Sequence, residues 1–327
     1  MSDSLKVTVF IPVYNGEHDH LEETLTALYM QKTSFKWDVL ITDSGSTDRS
    51  VEIIEAFAEK HGNLTLRKIN KESYSHGRTR QWAAEQSSAE FMVYLTQDAV
   101  PANSFLLQEM IEPFRINHKV VAVLGRQQPR VYCFPAMKYD INAVFNEQGV
   151  ADATTLWSNR DLSLKGHYTK ESFYSDVCSA APRAFLLDEI PYRDVAYSED
   201  YEYGKDIIDA GYIKAYNSKA VVVHSNDVLL SEYRQRIFDE TYNVRLNGGH
   251  SNPIGIFFML KQIFRSSFKD SIRILRDKDY VLKQKLYWLI VNPLFHIEKW
   301  RGIRQANNVE LGSDISKFSL EKSRSKD

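Results

Sequence analysis

The chain has 327 residues, 43% hydrophobic and 26% charged, enough for one large α/β domain with an appendage or for two small domains. A formal charge of −2 excludes the strongly basic balance of a general nucleic-acid-binding protein, and no nucleic-acid partner is expected. Two cysteines, Cys133 and Cys178, allow at most one disulfide and form no C-x-x-C pair. No apolar signal region follows Met1 and no apolar run approaches the roughly 20 residues that span a bilayer, so the expectation is a reducing cytosol with at most peripheral membrane contact.

Val7 to Val13 is a β-branched apolar run closed by Tyr14-Asn15-Gly16, which predicts a buried strand and a loop. Leu21, Thr24, Leu25, Leu28 and Tyr29 then recur at helical spacing. A second strand over Trp37 to Thr42 ends in Asp43-Ser44-Gly45-Ser46-Thr47-Asp48. Ser46 or Thr47 is expected to cap the next helix, with Val51, Ile54, Phe57 and Ala58 on its apolar face and Gly62 as its stop. Leu64 to Ile69 reads as a third strand, a third helix begins near Arg78, and Phe91 to Leu95 is a fourth strand leading into Thr96-Gln97-Asp98-Ala99. Such alternation with short links predicts an α/β fold with a doubly wound, mostly parallel sheet flanked by helices.

A helix carrying Phe105, Leu106, Met110 and Phe114 and a strand over Val120 to Leu124 come next, followed by Gly125-Arg126-Gln127-Gln128-Pro129. From about Arg130 to Tyr174 the periodicity fails, and loops with short helices are expected. Ser175 to Ala181 is regular again, and Glu199-Asp200 opens a helix that Gly211 ends. Tyr212 to Tyr216 and Ala220 to Val223 read as two short strands, the second ending at His224, and Leu229 to Leu246 reads as helix. The expected division is a main domain over 1–240, with halves meeting near 125, then helices over 241–306 and a disordered charged tail over 307–327.

The segment Gly255 to Arg304 carries 11 basic and four acidic residues. Ile256, Leu260, Phe264, Phe268 and Ile272 line one helical face, while Lys261, Arg265, Lys269 and Arg273 line an adjacent stripe. That pattern predicts an interfacial helix that binds an anionic membrane surface, helped by Tyr287 to Val291 and Trp300. The competing reading is a helix packed on its own domain with a solvated basic face.

In a parallel sheet the strand ends at Tyr14, Asp43, Asp98 and His224 converge. Tyr14 offers an aromatic face and Asp43 an acceptor for a pyrimidine N–H. Asp98 suits Mg²⁺ or Mn²⁺ bound to a diphosphate, and a histidine ligand at His224 favours Mn²⁺. Taken singly, Asp98 also reads as a turn residue before Pro101, His224 as a structural strand end, and Glu199-Asp200 as an acidic helix start.

As an ordered set, Ile11-Pro12-Val13-Tyr14-Asn15-Gly16, Asp43-Ser44-Gly45-Ser46-Thr47-Asp48, Thr96-Gln97-Asp98 and Glu199-Asp200 resemble the family 2 glycosyltransferases of the GT-A fold, over about residues 7 to 240. Four further stretches resemble the bacterial rhamnosyltransferases of cell-wall polysaccharide synthesis. They are Tyr74 to Arg80, Leu95 to Ala99, Gly125 to Pro129 and Phe173 to Ala180. The resemblance implies an inverting transfer of L-rhamnose from dTDP-β-L-rhamnose to a lipid-linked saccharide at the cytoplasmic face of the membrane, leaving an α-rhamnoside. It implies Asp200 as catalytic base, oriented by Glu199. Pro12, Tyr14, Asp43, His76, Arg80, Thr96, Gln97, Asp98 and Asp176 are implied around the nucleotide sugar, with Arg80 toward the nucleotide or diphosphate. Asp98 and His224 are implied as ligands of Mn²⁺ or Mg²⁺.

Thr96 stands where the D-x-D motif has its first Asp, which in the family commonly meets ribose hydroxyls. A neutral side chain there suits a deoxythymidine nucleotide. The alternatives are a UDP-hexose donor or a non-catalytic sugar-nucleotide-binding scaffold. A nucleotidyltransferase would carry a Gly-rich phosphate loop after the first strand, and Pro12 to Gly16 is not one.

Overall fold

A computed structural model describes residues 6–158, 165–195, 198–226, 228–246 and 252–320. The first half follows the apolar pattern. Strands β1 (Lys6–Val13), β2 (Lys36–Asp43), β3 (Leu64–Lys68) and β4 (Phe91–Leu95) are connected by helices α1 (Leu21–Tyr29), α2 (Ser50–His61) and α3 (His76–Gln86), and they pair in parallel. Leu21, Thr24, Leu25 and Leu28 of α1 are fully buried. Each such leucine contributes about 1.5–3 kcal/mol relative to exposure. Gly62 ends α2 in the left-handed conformation, φ 71°, where a side chain would be strained.

One local expectation fails. Neither Ser46 nor Thr47 caps α2, which begins four and three residues later, at Ser50; the Ser46 hydroxyl instead donates to Asp43, and the carboxylate of Asp48 accepts the Ser50 N–H at 3.0 Å. The Asp43 carboxylate offered a stronger acceptor close by.

Beyond β4 lie β5 (Val100–Pro101), α4 (Leu106–Ile116), β6 (Val120–Gln128), α5 (Pro135–Gln148), β7 (Thr154–Trp157), β8 (Cys178–Pro182), α6 (Arg183–Asp188), α7 (Glu199–Asp209) and β9 (Ile213–Val223). The segment 130–174 therefore holds a 14-residue helix and a strand, more order than its mixed pattern suggested. The two short strands expected over 212–223 are one strand, with a register irregularity opposite Gly125 and Arg126. The sheet order is β3-β2-β1-β4-β8-β6-β9-β5, with β7 also paired to β9. The sheet is mixed, since β8 runs antiparallel to both β4 and β6.

Two compact units divide the chain, one of 1–128 and 144–224, the other of 129–143 and 225–327. The division falls at Gln128 and His224 rather than near residue 240. The first unit holds the sheet and its core, in which Val9, Ile11, Val93 and Leu95 are fully buried. The second holds α8 (Leu230–Leu246), α9 (Ile256–Arg276) and α10 (Leu282–Asn308). Within it Phe134, Tyr233 and Phe295 pack together, and His296 meets buried Asp270 at 2.8 Å. The expected disordered tail is packed as far as it is described: Ile315 and Leu320 are buried, Ile315 against Phe238, Tyr242 and Ala306. Residues 321–327 lie outside the described residues.

Candidate active site

β1, β2 and β4 share one direction. β8 reverses against β4 and β6 reverses again against β8, so β6 and its parallel neighbour β9 point the same way as β4. This double reversal sets Tyr14, Asp43, Asp98 and His224, each just past or at the end of its strand, on one edge of the sheet. Because β8 runs the other way, its beginning lies on that edge. Leu95 pairs with Cys178, and Asp176 stands two residues before it.

At the β1 end the Tyr14 N–H donates to Gln97 Oε1 at 2.9 Å, and Gln97 Nε2 donates to Tyr14 O at 3.2 Å and to Asp19 Oδ2 at 2.8 Å. Gln97 thus clamps two strand ends together. The Tyr14 ring is 39% exposed, with Lys71 Nζ 5.0 Å from its centroid. Pro12 is half-buried within β1. Asp43, buried, accepts the N–H groups of Gly45 and Ser46 at 3.1 Å each. Its carboxylate is therefore aligned by its own loop and keeps acceptor capacity. Thr96 Oγ1 is buried and has no hydrogen-bond partner among the described residues.

His224 Nε2 lies 3.1 Å from Asp98 Oδ2, with both residues under 10% exposed. Two ligands at right angles, each about 2.1 Å from one ion, stand about 3.0 Å apart, so this separation suits a shared divalent cation. Among the described residues no group of three or more His, Cys, Asp or Glu is arranged to hold a metal ion. The donor set therefore fits an ion that takes most of its shell from phosphate oxygens and water, not one held in an all-protein cage.

The second cluster centres on Arg80 of α3. Arg80 Nη1 meets Glu199 Oε1 at 2.6 Å and its Nε lies 3.2 Å from Asp176 Oδ2, the latter an ionic contact without hydrogen-bond alignment. Arg80 is buried, held between two carboxylates rather than turned outward. Gly77 permits this: a Cβ there would stand 1.9 Å from Arg193 O, so only glycine lets the first turn of α3 come this close. His76 approaches Glu199 at 4.0 Å and pairs with the Tyr74 hydroxyl at 3.1 Å.

Asp200 belongs to the same cluster, its Oδ2 3.4 Å from the Asp176 N–H. Tyr192 and Ser179 donate hydroxyl hydrogen bonds to Asp176 Oδ1 at 2.8 and 2.6 Å. Three carboxyl groups thus surround one guanidinium. Burial, reinforced by the Glu199 and Asp176 charges, pushes the Asp200 carboxyl well above the usual carboxylate range. Burial likewise pushes Asp176 up to about 6, although Arg80 opposes it. Ser198, immediately before the acidic pair, takes a left-handed backbone at φ 64°, a conformation that non-glycine residues rarely adopt away from constrained sites.

The family described as Glycosyl transferase family 2 matches residues 8–185. The chain belongs to that family. O-antigen chain rhamnosyltransferase RfbN of Salmonella typhimurium is 28% identical over 72% of this chain and 71% of its own. WbaN of Salmonella anatum, also an O-antigen chain rhamnosyltransferase, is 29% identical over 71% of this chain and 70% of its own. Among solved structures, the mannosyltransferase PcManGT of Pyrobaculum calidifontis, in complex with GDP-Man and Mn²⁺, aligns with a TM-score of 0.56. It covers 92% of this chain and 84% of that one at 16% identity, and supports the GT-A-like fold.

The two clusters differ in kind: one pairs a carboxylate with an imidazole, the other holds carboxyl groups that burial raises above their usual range. The sequence reading missed Tyr192 and gave Gln127, Ser175 and Ser179 no role. Gln127, Ser175 and Ser179 fall in the rhamnosyltransferase-like stretches, which was the available signal; Tyr192 had none.

Proposed function

We propose that this glycosyltransferase moves L-rhamnose from dTDP-β-L-rhamnose to a hydroxyl of a lipid-linked saccharide in surface-polysaccharide synthesis, with inversion to an α-rhamnoside. The observation that carries the reading is the Asp200 carboxyl at the start of α7, which burial and then its acidic neighbours Glu199 and Asp176 hold well above the usual carboxylate range, as a general base requires. The rhamnosyltransferase relatives support the donor, as does neutral Thr96 where an Asp would meet a ribose hydroxyl.

In this mechanism the acceptor oxygen forms a bond to the anomeric carbon as its proton passes to Asp200. The bond from that carbon to the diphosphate breaks, and its electron pair leaves with dTDP. Tyr14 stacks on the base and Asp43 accepts its N–H. Asp98 and His224 would hold Mn²⁺ or Mg²⁺, which supplies positive charge to the departing diphosphate. Arg80, fixed by Glu199 and Asp176, keeps the base and its neighbours in place; Glu199 orients Asp200 or the acceptor, and His76 borders the same cluster. A panel of nucleotide sugars with synthetic lipid-linked acceptors tests the donor: turnover of dTDP-rhamnose is expected, and preferential turnover of UDP-glucose or UDP-N-acetylglucosamine would refute it.

Within the second unit, Phe257, Phe264 and Phe268 of α9 and Leu282, Leu286 and Ile290 of α10 are exposed, Phe257 by 85% and Ile290 by 75%. Lys261, Arg265 and Lys269 are exposed beside the α9 row, whereas Arg273 turns toward Asp270. Among the described residues no helix is long and apolar enough to cross a membrane. These faces support peripheral attachment to the anionic, cytoplasmic face of the membrane. In liposome flotation at low salt, Phe264→Glu with Phe268→Glu is expected to abolish retention on anionic vesicles without lowering Tm; retention equal to wild type removes the claim.

A further inference from the structure

His224 has two ring nitrogens with separate neighbours. Nε2 faces Asp98 Oδ2 at 3.1 Å, and Nδ1 lies 3.0 Å from Gln127 Oε1. The Gln127 amide is itself held, its Nε2 donating to Ser175 Oγ at 3.0 Å. All four residues are under 10% exposed. The line Ser175–Gln127–His224–Asp98 spans the start of β8, the end of β6, the end of β9 and the loop after β4, and pairing of Gln128 with Val223 sets Gln127 beside His224. Neither Gln127 nor Ser175 has a task in the proposed chemistry.

We infer that Gln127 is a positioning residue that holds His224 in the tautomer protonated at Nδ1 and so leaves Nε2 as the electron-pair donor to a divalent cation shared with Asp98. An amide oxygen accepts and cannot donate, so Gln127 Oε1 at hydrogen-bond distance requires the proton on Nδ1. A neutral ring then carries its lone pair on Nε2, the nitrogen that faces Asp98. The reversed amide would present Gln127 Nε2 to Nδ1, place the proton on Nε2 and close a hydrogen bond to Asp98 that excludes an ion. The Gln127 amide orientation therefore separates a cation site from a structural His–Asp pair. Ser175, as acceptor for Gln127 Nε2, holds the orientation that opens the site.

The inference rests on the reading that Asp98 and His224 bind the metal, and the experiment separates the two. In ¹⁵N-edited spectra of Mg²⁺-loaded protein, His224 Nδ1 is expected to be protonated; an unprotonated Nδ1 overturns the inference. Mn²⁺ affinity is then measured by electron paramagnetic resonance of free Mn²⁺, without substrate, on folded variants of matched Tm. Gln127→Leu is expected to weaken Mn²⁺ about 10–100-fold. Gln127→Glu, which keeps an acceptor toward Nδ1, is expected to retain at least wild-type affinity. Unchanged affinity in Gln127→Leu, or equal loss in both variants, overturns the positioning role. Asp98→Asn tests the metal reading itself. If that variant weakens Mn²⁺ while both Gln127 variants do not, only the inference about Gln127 fails; if it binds as wild type does, both fail.

Discussion

The sheet edge carries two buried polar clusters that solve the cost of burying charge in opposite ways. At Asp98 and His224 the protein gathers two donor groups 3.1 Å apart. Around Arg80 it installs a permanent cation but surrounds it with Asp176, Glu199 and Asp200, more negative charge than one guanidinium can balance. On the proposed function, the first arrangement would take up a metal ion and the second a proton. The proposed transfer, which separates a diphosphate from a sugar while removing a proton from an alcohol, uses one of each.

The largest effect that can break this comparison is at the proton site. Asp200→Asn keeps the shape and one acceptor for the two backbone N–H groups, of Asp176 and Tyr201, that meet the carboxylate, but it cannot take a proton, so turnover should fall about 10²–10⁴-fold with nucleotide-sugar affinity, measured by calorimetry, unchanged. Undiminished turnover would remove Asp200 as base. The next effect is on stability. Arg80→Met leaves its carboxylates without their cation and should cost about 3–5 kcal/mol in urea unfolding at pH 7, a penalty that shrinks at pH 5 as the raised carboxyls accept protons. An equal penalty at both pH values would show that the cluster does not share its charge as described.

The smallest effect sharpens the comparison. Asp200 acts ionised, and its pKa is raised, so activity should be lost as pH falls through a value above the usual carboxylate pKa of about 4. Asp176→Asn removes one negative neighbour and releases Arg80 from a partner; both changes favour ionised Asp200. The acid limb of the kcat/KM profile should therefore move to lower pH by on the order of one unit. A limb that stays in place, or moves upward, would assign the titration to another group.

Much of the fold was legible because the information is local. Runs such as Phe91 to Leu95 and spacings such as Leu21, Leu25 and Leu28 state strand and helix directly. What was not legible depends on pairing between distant segments. Nothing in Cys178 to Pro182 says that it runs antiparallel between β4 and β6, and nothing in Tyr212 to Val223 says that its two apolar pieces form one strand bent at Asn217 to Val221. The site divides along the same line. Asp98 and Asp200 could be singled out from ordered motifs, and Arg80 as a residue toward the nucleotide or diphosphate, but not that Gly77 and the start of α7 bury it between carboxylates. Gln127 meets residues 48 and 97 positions away, a relation no local pattern carries.

The reversed strand β8 also ties the working edge of the sheet to its far edge. Its first residue lies on the working edge and its last, Pro182, opposite Phe91 at the far edge, where α6 begins. A cut or an inserted tag placed between β8 and α6 would leave Asp176 and Ser175 tethered to their strand, whereas the same change between Asp176 and Cys178 would sever them from it. A break after β8 would keep Ser175 and Asp176 on their strand, at the cost of a junction where the Arg183 N–H bonds Glu90 O.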